Sequence, residues 1–87
     1  MRYGYKASAE QFGPRDLLDY SVLAERSGLD TIAVSDHFQP WRHSTGHAPG
    51  ALAWLGALGQ ATQTAYLGTS VLTPTLRYHP SIVAQSF

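Results

Sequence analysis

The four residues Thr31, Ile32, Ala33 and Val34 constrain the fold of this chain more than any other stretch. The run is too short for a helix, is rich in β-branched side chains and has no polar alternation. It reads as a strand covered on both faces, the kind found in parallel sheets flanked by helices. Its neighbours agree. Gly28 stands where a left-handed residue ends a helix, and the Leu17, Leu18, Val22, Leu23 and Ala24 positions before it give a helical apolar face that opens at Pro14, a residue the first turn tolerates.

The same unit recurs along the chain. Residues 2–6 (RYGYK) form a first strand that runs into polar residues 8–11, and the second strand ends at Ser35. Residues 36–49 contain two prolines, three histidines and Gly46 without periodicity, which reads as a loop long enough to be functional. Residues 50–61 (GALAWLGALGQA) form a second helix with Trp54 in its middle, packed closely on a neighbour, although its glycines weaken it in isolation. Residues 66–69 make a third strand, 70–79 a further loop, and Pro80 opens a last helix. This βαβαβα order predicts a parallel α/β sheet, either doubly wound or part of a barrel. Three strands complete neither, so the chain is expected to continue past Phe87, and residues 1–87 alone are expected to fold poorly and to be inactive.

Composition narrows the function. With 87 residues and no cysteine, there are neither disulfides nor thiolate metal sites to staple so small a unit. Six basic side chains balance six acidic ones, so no electrostatic footprint for nucleic acid or an anionic membrane is present. No apolar run approaches the roughly 20 residues of a membrane span, and no signal peptide follows Met1. A cytoplasmic protein with a small-molecule ligand is expected.

Parallel α/β folds bind ligands with the loops that leave the carboxyl ends of their strands. Ser8, Glu10 and Gln11 follow the first strand; Asp36, His37, Trp41, Arg42, His43 and His47 the second; Ser70, Thr73, Arg77 and His79 the third. Asp36 with His37 offers an acceptor beside an imidazole suited to removing a hydroxyl proton; the alternative is an Asp that caps the loop and a His bonded within it. Trp41 reads as the wall of an aromatic or sugar site, or as packing over the mouth. His43 and His47, with His37, have a metal-ligand look, but Gly46 and Pro49 argue against the helix that would align them, and no metal is expected. No Gly-x-Gly-x-x-Gly follows a strand and no Gly-Lys-Ser/Thr loop is present, so Rossmann nicotinamide binding and P-loop chemistry lack support. Arg77 reads as a solvated loop residue, the alternative being a part in a subunit contact or at a cofactor tail.

Residues 4–12 (GYKASAEQF), 35–43 (SDHFQPWRH) with 46–49 (GHAP), and 67–75 (LGTSVLTPT) followed by 77–80 (RYHP) closely resemble F420-dependent glucose-6-phosphate dehydrogenases of the luciferase-like superfamily. The third stretch is shared more widely among luciferase-like flavin and deazaflavin enzymes than the first two. The resemblance covers essentially the whole chain. It implies the amino-terminal βαβαβα portion of a (β/α)8 TIM barrel, truncated here, that is homodimeric when complete. It further implies coenzyme F420 at the mouth and hydride removal from C1 of glucose 6-phosphate to give 6-phosphogluconolactone. His37 and Trp41 would line the substrate side, with His37 the base, and Glu10 would be a carboxylate of the pocket. Asp36, Ser70, Val71 and Thr73 match cofactor-contacting positions, and the Ser70–Val71 bond matches a non-prolyl cis peptide. The family's further acid and its phosphate-gripping Lys and Arg residues match nothing in these 87 residues, so an F420-dependent dehydrogenase of another alcohol, or an FMN-dependent luciferase-like monooxygenase, is the alternative.

Overall fold

A computed structural model describes residues 1–87. Its elements run β1 (Gly4–Ala7), α1 (Pro14–Arg26), β2 (Thr31–Ser35), α2 (Ala51–Ala61), β3 (Tyr66–Val71) and α3 (Pro80–Ser86). The strands form one parallel sheet in the order β1-β2-β3, with Lys6 opposite Ala33 and Ala33 opposite Gly68. β1 starts two residues later than the aromatic alternation implies, and β3 runs two residues further, because Ser35 pairs with Val71 across an irregularity in the β2–β3 register.

Local rules account for the helix ends. Pro14 opens α1 behind an extended Gly13. At the far end Gly28 takes φ +96°, and the N–H groups of Gly28 and Leu29 donate to the carbonyls of Glu25 and Ala24, which is a Schellman closure. The inward face of α1 is Leu17, Ser21 and Ala24, one helical stripe. Leu23, expected on that face, is 61% exposed; a repeat of about 3.6 residues puts it on the far side from Leu17 and Ala24.

Both α1 and α2 pack on the same face of the sheet. Leu17 from α1 joins Ala51, Trp54, Leu55 and Leu58 from α2 in one core with Ala7, Ile32 and Val34, and the Trp54 indole N–H donates across the helix pair to the Pro14 carbonyl at 2.9 Å. Doubly wound sheets carry helices on both faces, so this one-sided arrangement is that of a barrel wall. Within these residues the helices cover one face of β2: Ile32 and Val34 are fully buried, whereas Thr31, Ala33 and Ser35 on the other face are half-buried. No helix is long and apolar enough to cross a membrane.

One further tie is invisible to local rules. The Glu25 carboxylate accepts the backbone N–H groups of Gln63, Thr64 and Ala65 at 3.1, 2.9 and 2.8 Å, and so fastens the end of α1 to the turn that enters β3. These donors, Thr64 first, hold its carboxyl below the ordinary value of 4.5. A carboxylate with a depressed folded pKa stabilises above its ordinary value and loses that contribution as pH falls through the lower, folded one. Glu25→Ala in the complete protein therefore lowers the melting midpoint by a few degrees at neutral pH, and calorimetry along a falling pH series shows the gap to wild type closing below 4.5.

Candidate active site

The loops leaving β1, β2 and β3 meet at the carboxyl edge of the sheet. In the first, the Ser8 carbonyl accepts from the N–H groups of Gln11 and Phe12, a tight turn that lifts Glu10 over the strand ends. The Glu10 carbonyl accepts from the His47 N–H at 3.0 Å, which binds this turn to the end of the long second loop. Across the gap, Glu10 Oε1 lies 2.7 Å from His37 Nε2. The same oxygen is buried and has no hydrogen-bond donor, so the contact is a close approach of carboxylate and imidazole without hydrogen-bond alignment. The side chains keep 23% and 30% exposure, so both remain reachable from outside.

Two recesses flank this pair. One, of about 460 Å³, is lined by Ser8, Glu10, Gln11, Trp41, Arg42 and the turn at Thr45 and Gly46. The other, of about 310 Å³, is lined by Asp36, His37 and Phe38 with Thr73, Thr75 and Arg77. Trp41 is 82% exposed and walls the first recess. His37 and Trp41, expected together on one side, line different recesses, and Glu10 is the residue that shares a recess with Trp41.

Asp36 lies beneath this surface with its side chain only 1% exposed. Oδ1 accepts from the Ala51 N–H at 3.0 Å, which caps α2 from fifteen residues upstream, since the adjoining Gly50 offers no side chain to do so. Oδ2 accepts from Arg77 Nη1 at 2.7 Å and the Tyr78 hydroxyl at 2.8 Å. Burial, then the hydrogen bond to Asp36 and its charge, push the Tyr78 phenol above its ordinary value, against the pull of Arg77. Arg77 is thus no free loop residue: it clamps the third loop to the second and lies over the Phe38 and Tyr78 rings, 5.7 and 5.2 Å from their centroids.

On β3, Ser70 and Val71 stand exposed at the strand end. The expected cis bond between them is absent, as every peptide in the chain is trans. β3 stays paired with β2 as far as Val71, across the register irregularity that skips Ser70, and the Val71 carbonyl accepts the Asp36 N–H at 2.8 Å. Beside Val71, Ser70 Oγ lies 3.3 Å from Ser35 Oγ, which Lys6 Nζ reaches at 2.5 Å. No group of three or more His, Cys, Asp or Glu placed to hold a metal ion forms around His43 and His47 or elsewhere in the chain. His79 accepts from the Ser81 N–H and so caps the first turn of α3.

The chain thus presents a parallel sheet with helices on one face, and acid, imidazole, indole and hydroxyl groups gathered at its carboxyl edge. The profile described as luciferase-like monooxygenase matches residues 1–87. The chain belongs to that family. Among its relatives are F420-dependent glucose-6-phosphate dehydrogenases of Beutenbergia cavernae, 69% identical, and of Segniliparus rotundus and Kribbella flavida, each 64% identical, over 87 residues. All of the chain is covered in each case, and 26% of the relative. Among solved structures, an F420-dependent secondary alcohol dehydrogenase in complex with an F420–acetone adduct superposes with a TM-score of 0.93 at 44% identity, over 99% of this chain and 26% of that one. This luciferase-like chain is therefore the amino-terminal portion of a TIM-barrel fold.

Sequence reasoning missed Lys6, Ser35 and Tyr78. The one signal for Lys6 was parity: on β1 it alternates with Tyr5 and Ala7, which face the helices, so it points to the other side of the sheet. Tyr78 and Ser35 carried no signal, because their partners lie 42 and 29 or more residues away.

Proposed function

We propose that the complete protein carrying this luciferase-like chain is a dehydrogenase that takes a hydride from C1 of glucose 6-phosphate to coenzyme F420, giving 6-phosphogluconolactone and reduced F420. In this reading residues 1–87 open a barrel domain whose remaining strands lie outside them. The carrying observation is the 2.7 Å approach of Glu10 to His37 at the strand ends, between two recesses. The names of the relatives and the F420–acetone adduct in the solved neighbour support the cofactor. The residues present fit a flat ring: toward the carboxyl edge, Ala33, Ser35, Gly68 and Ser70 give β2 and β3 only small side chains, and Val71 is an apolar platform 49% exposed.

When bound, the deazaflavin supplies a two-electron hydride acceptor. The protein's part is the proton and the geometry. His37 takes the proton of the C1 hydroxyl as the C–H pair departs and the carbonyl forms. Its Nε2 faces Glu10, which leaves Nδ1 to meet the substrate, and the Glu10 carboxylate then stabilises the imidazolium. The sugar spans the two recesses, with Trp41 fixing the face of its ring in the first and His37 reaching C1 from the second. Asp36 acts from below, holding the second and third loops together so that Ser70, Val71 and Thr73 keep their place at the cofactor side. The homodimer implied by the resemblance and the cytoplasmic location expected from the sequence belong to the same proposal.

The test is to express the complete protein and follow the absorbance of F420 after adding glucose 6-phosphate, with FMN as control. Bleaching that depends on the sugar phosphate is the expected result. Tight F420 binding without bleaching moves the substrate to another alcohol, and a preference for FMN overturns the cofactor.

A further inference from the structure

The face of the sheet that the helices leave open carries one long charged side chain. Lys6 sits in register with Ala33 and Gly68 on the neighbouring strands, which leave it room to extend along the sheet. Its ammonium end rises to the carboxyl edge and donates to Ser35 Oγ at 2.5 Å. Burial among the strand ends holds the ammonium below its ordinary value, against the opposing charge of Glu10.

That contact gives a direction to the bond that follows it. Ser35 Oγ and Ser70 Oγ are 3.3 Å apart, and geometry alone allows either to donate. An ammonium has donors only, so Ser35 must accept from Lys6. Accepting from a cation polarises the Ser35 O–H, and Ser70 Oγ is its acceptor within reach. The Ser70 oxygen is thereby occupied as an acceptor, and its own proton is free for a bound ligand.

We propose that Lys6 is a positioning residue of the cofactor subsite: through Ser35 its ammonium sets the Ser70 hydroxyl as a hydrogen-bond donor toward a carbonyl or deprotonated-nitrogen acceptor on the deazaflavin. The inference rests on the F420 reading above and assigns Lys6 no contact with the substrate. With the ammonium removed, the serine pair reverses freely and Ser70 offers a lone pair where a proton is required.

The test is F420 affinity, read by fluorescence titration of the complete protein without sugar phosphate. Lys6→Met weakens F420 binding about tenfold, the scale of one directed hydrogen bond. Lys6→Arg, which keeps a cation with donors only, stays within about threefold of wild type. Lys6→Met with Ser70→Ala binds no worse than Ser70→Ala alone, because both act on the same proton. Should Lys6→Met fail to fold, as judged by its melting midpoint, Ser35→Ala breaks the same relay and is held to the same comparison with Ser70→Ala. Additive losses in either pair, or unchanged affinity in Lys6→Met, overturn the inference while F420 binding by wild type still stands. Absence of F420 binding by wild type overturns both.

Discussion

Replacing His37 by alanine lowers kcat of the complete protein by about a hundredfold or more, the usual scale for losing a positioned base. Affinity for F420 changes little in the same variant. The separation follows from geometry: the imidazole faces Glu10, while Ser70, the hydroxyl donor proposed for the cofactor, lies on β3. Glu10→Gln is the companion variant. It keeps the shape beside Nε2 but removes the charge that favours an imidazolium, so its loss falls mainly in kcat and is smaller than that of His37→Ala. Steady-state and single-turnover measurements with glucose 6-phosphate check both. Equal losses in F420 affinity and turnover would assign His37 to cofactor binding and leave the base unfound.

The second large effect is on stability. Asp36→Ala leaves the Ala51 N–H, the Arg77 guanidinium and the Tyr78 hydroxyl without their acceptor around a side chain that is 1% exposed. A loss of about 3 kcal/mol or more is expected, on the scale measured when one partner of a buried charged network is removed. Arg77→Ala costs less, about 1 kcal/mol, because that side chain is 31% exposed and water screens its charge. Urea denaturation of the complete protein gives both values, and the reverse order would relocate the centre of the clamp from Asp36 to Arg77.

Features governed by neighbours in sequence were the ones legible before the structure. Pro14, Gly28 and Pro80 mark helix ends through backbone geometry alone, and the short apolar run of β2 declared itself by composition. The choice between a doubly wound sheet and a barrel depended on which face α2 would cover, a question of tertiary packing that no window of residues contains. Asp36 was singled out for chemistry, with capping as the alternative, and the structure gives its carboxylate the capping use, at a distance of fifteen residues. Glu25 drew no attention because its three donors lie 38 to 40 residues downstream. Arg77 looked solvated for the same reason, since its partner is 41 residues away. The meeting of Glu10 with His37 was foreseen only as shared residence at strand ends; their direct approach, and the division of the mouth into two recesses, needed coordinates.

The loop that carries Trp41 folds back on itself at Gly46, where a Cβ would collide with the Arg42 carbonyl and press on the Pro40 ring. Its next residue, His47, is bonded through its backbone to the Glu10 turn. Both anchors are main-chain atoms. The residues ahead of them therefore behave as an exchangeable cassette: side chains at Trp41 and Arg42 can be swapped to recut the first recess without disturbing how the loop is seated. Positions 45 and 46 are poor places for such engineering, since Thr45 already stands in the left-handed region at φ +64° and a side chain at 46 would displace the Arg42 carbonyl. A library for altered substrate choice is best built within the loop with Gly46 left untouched.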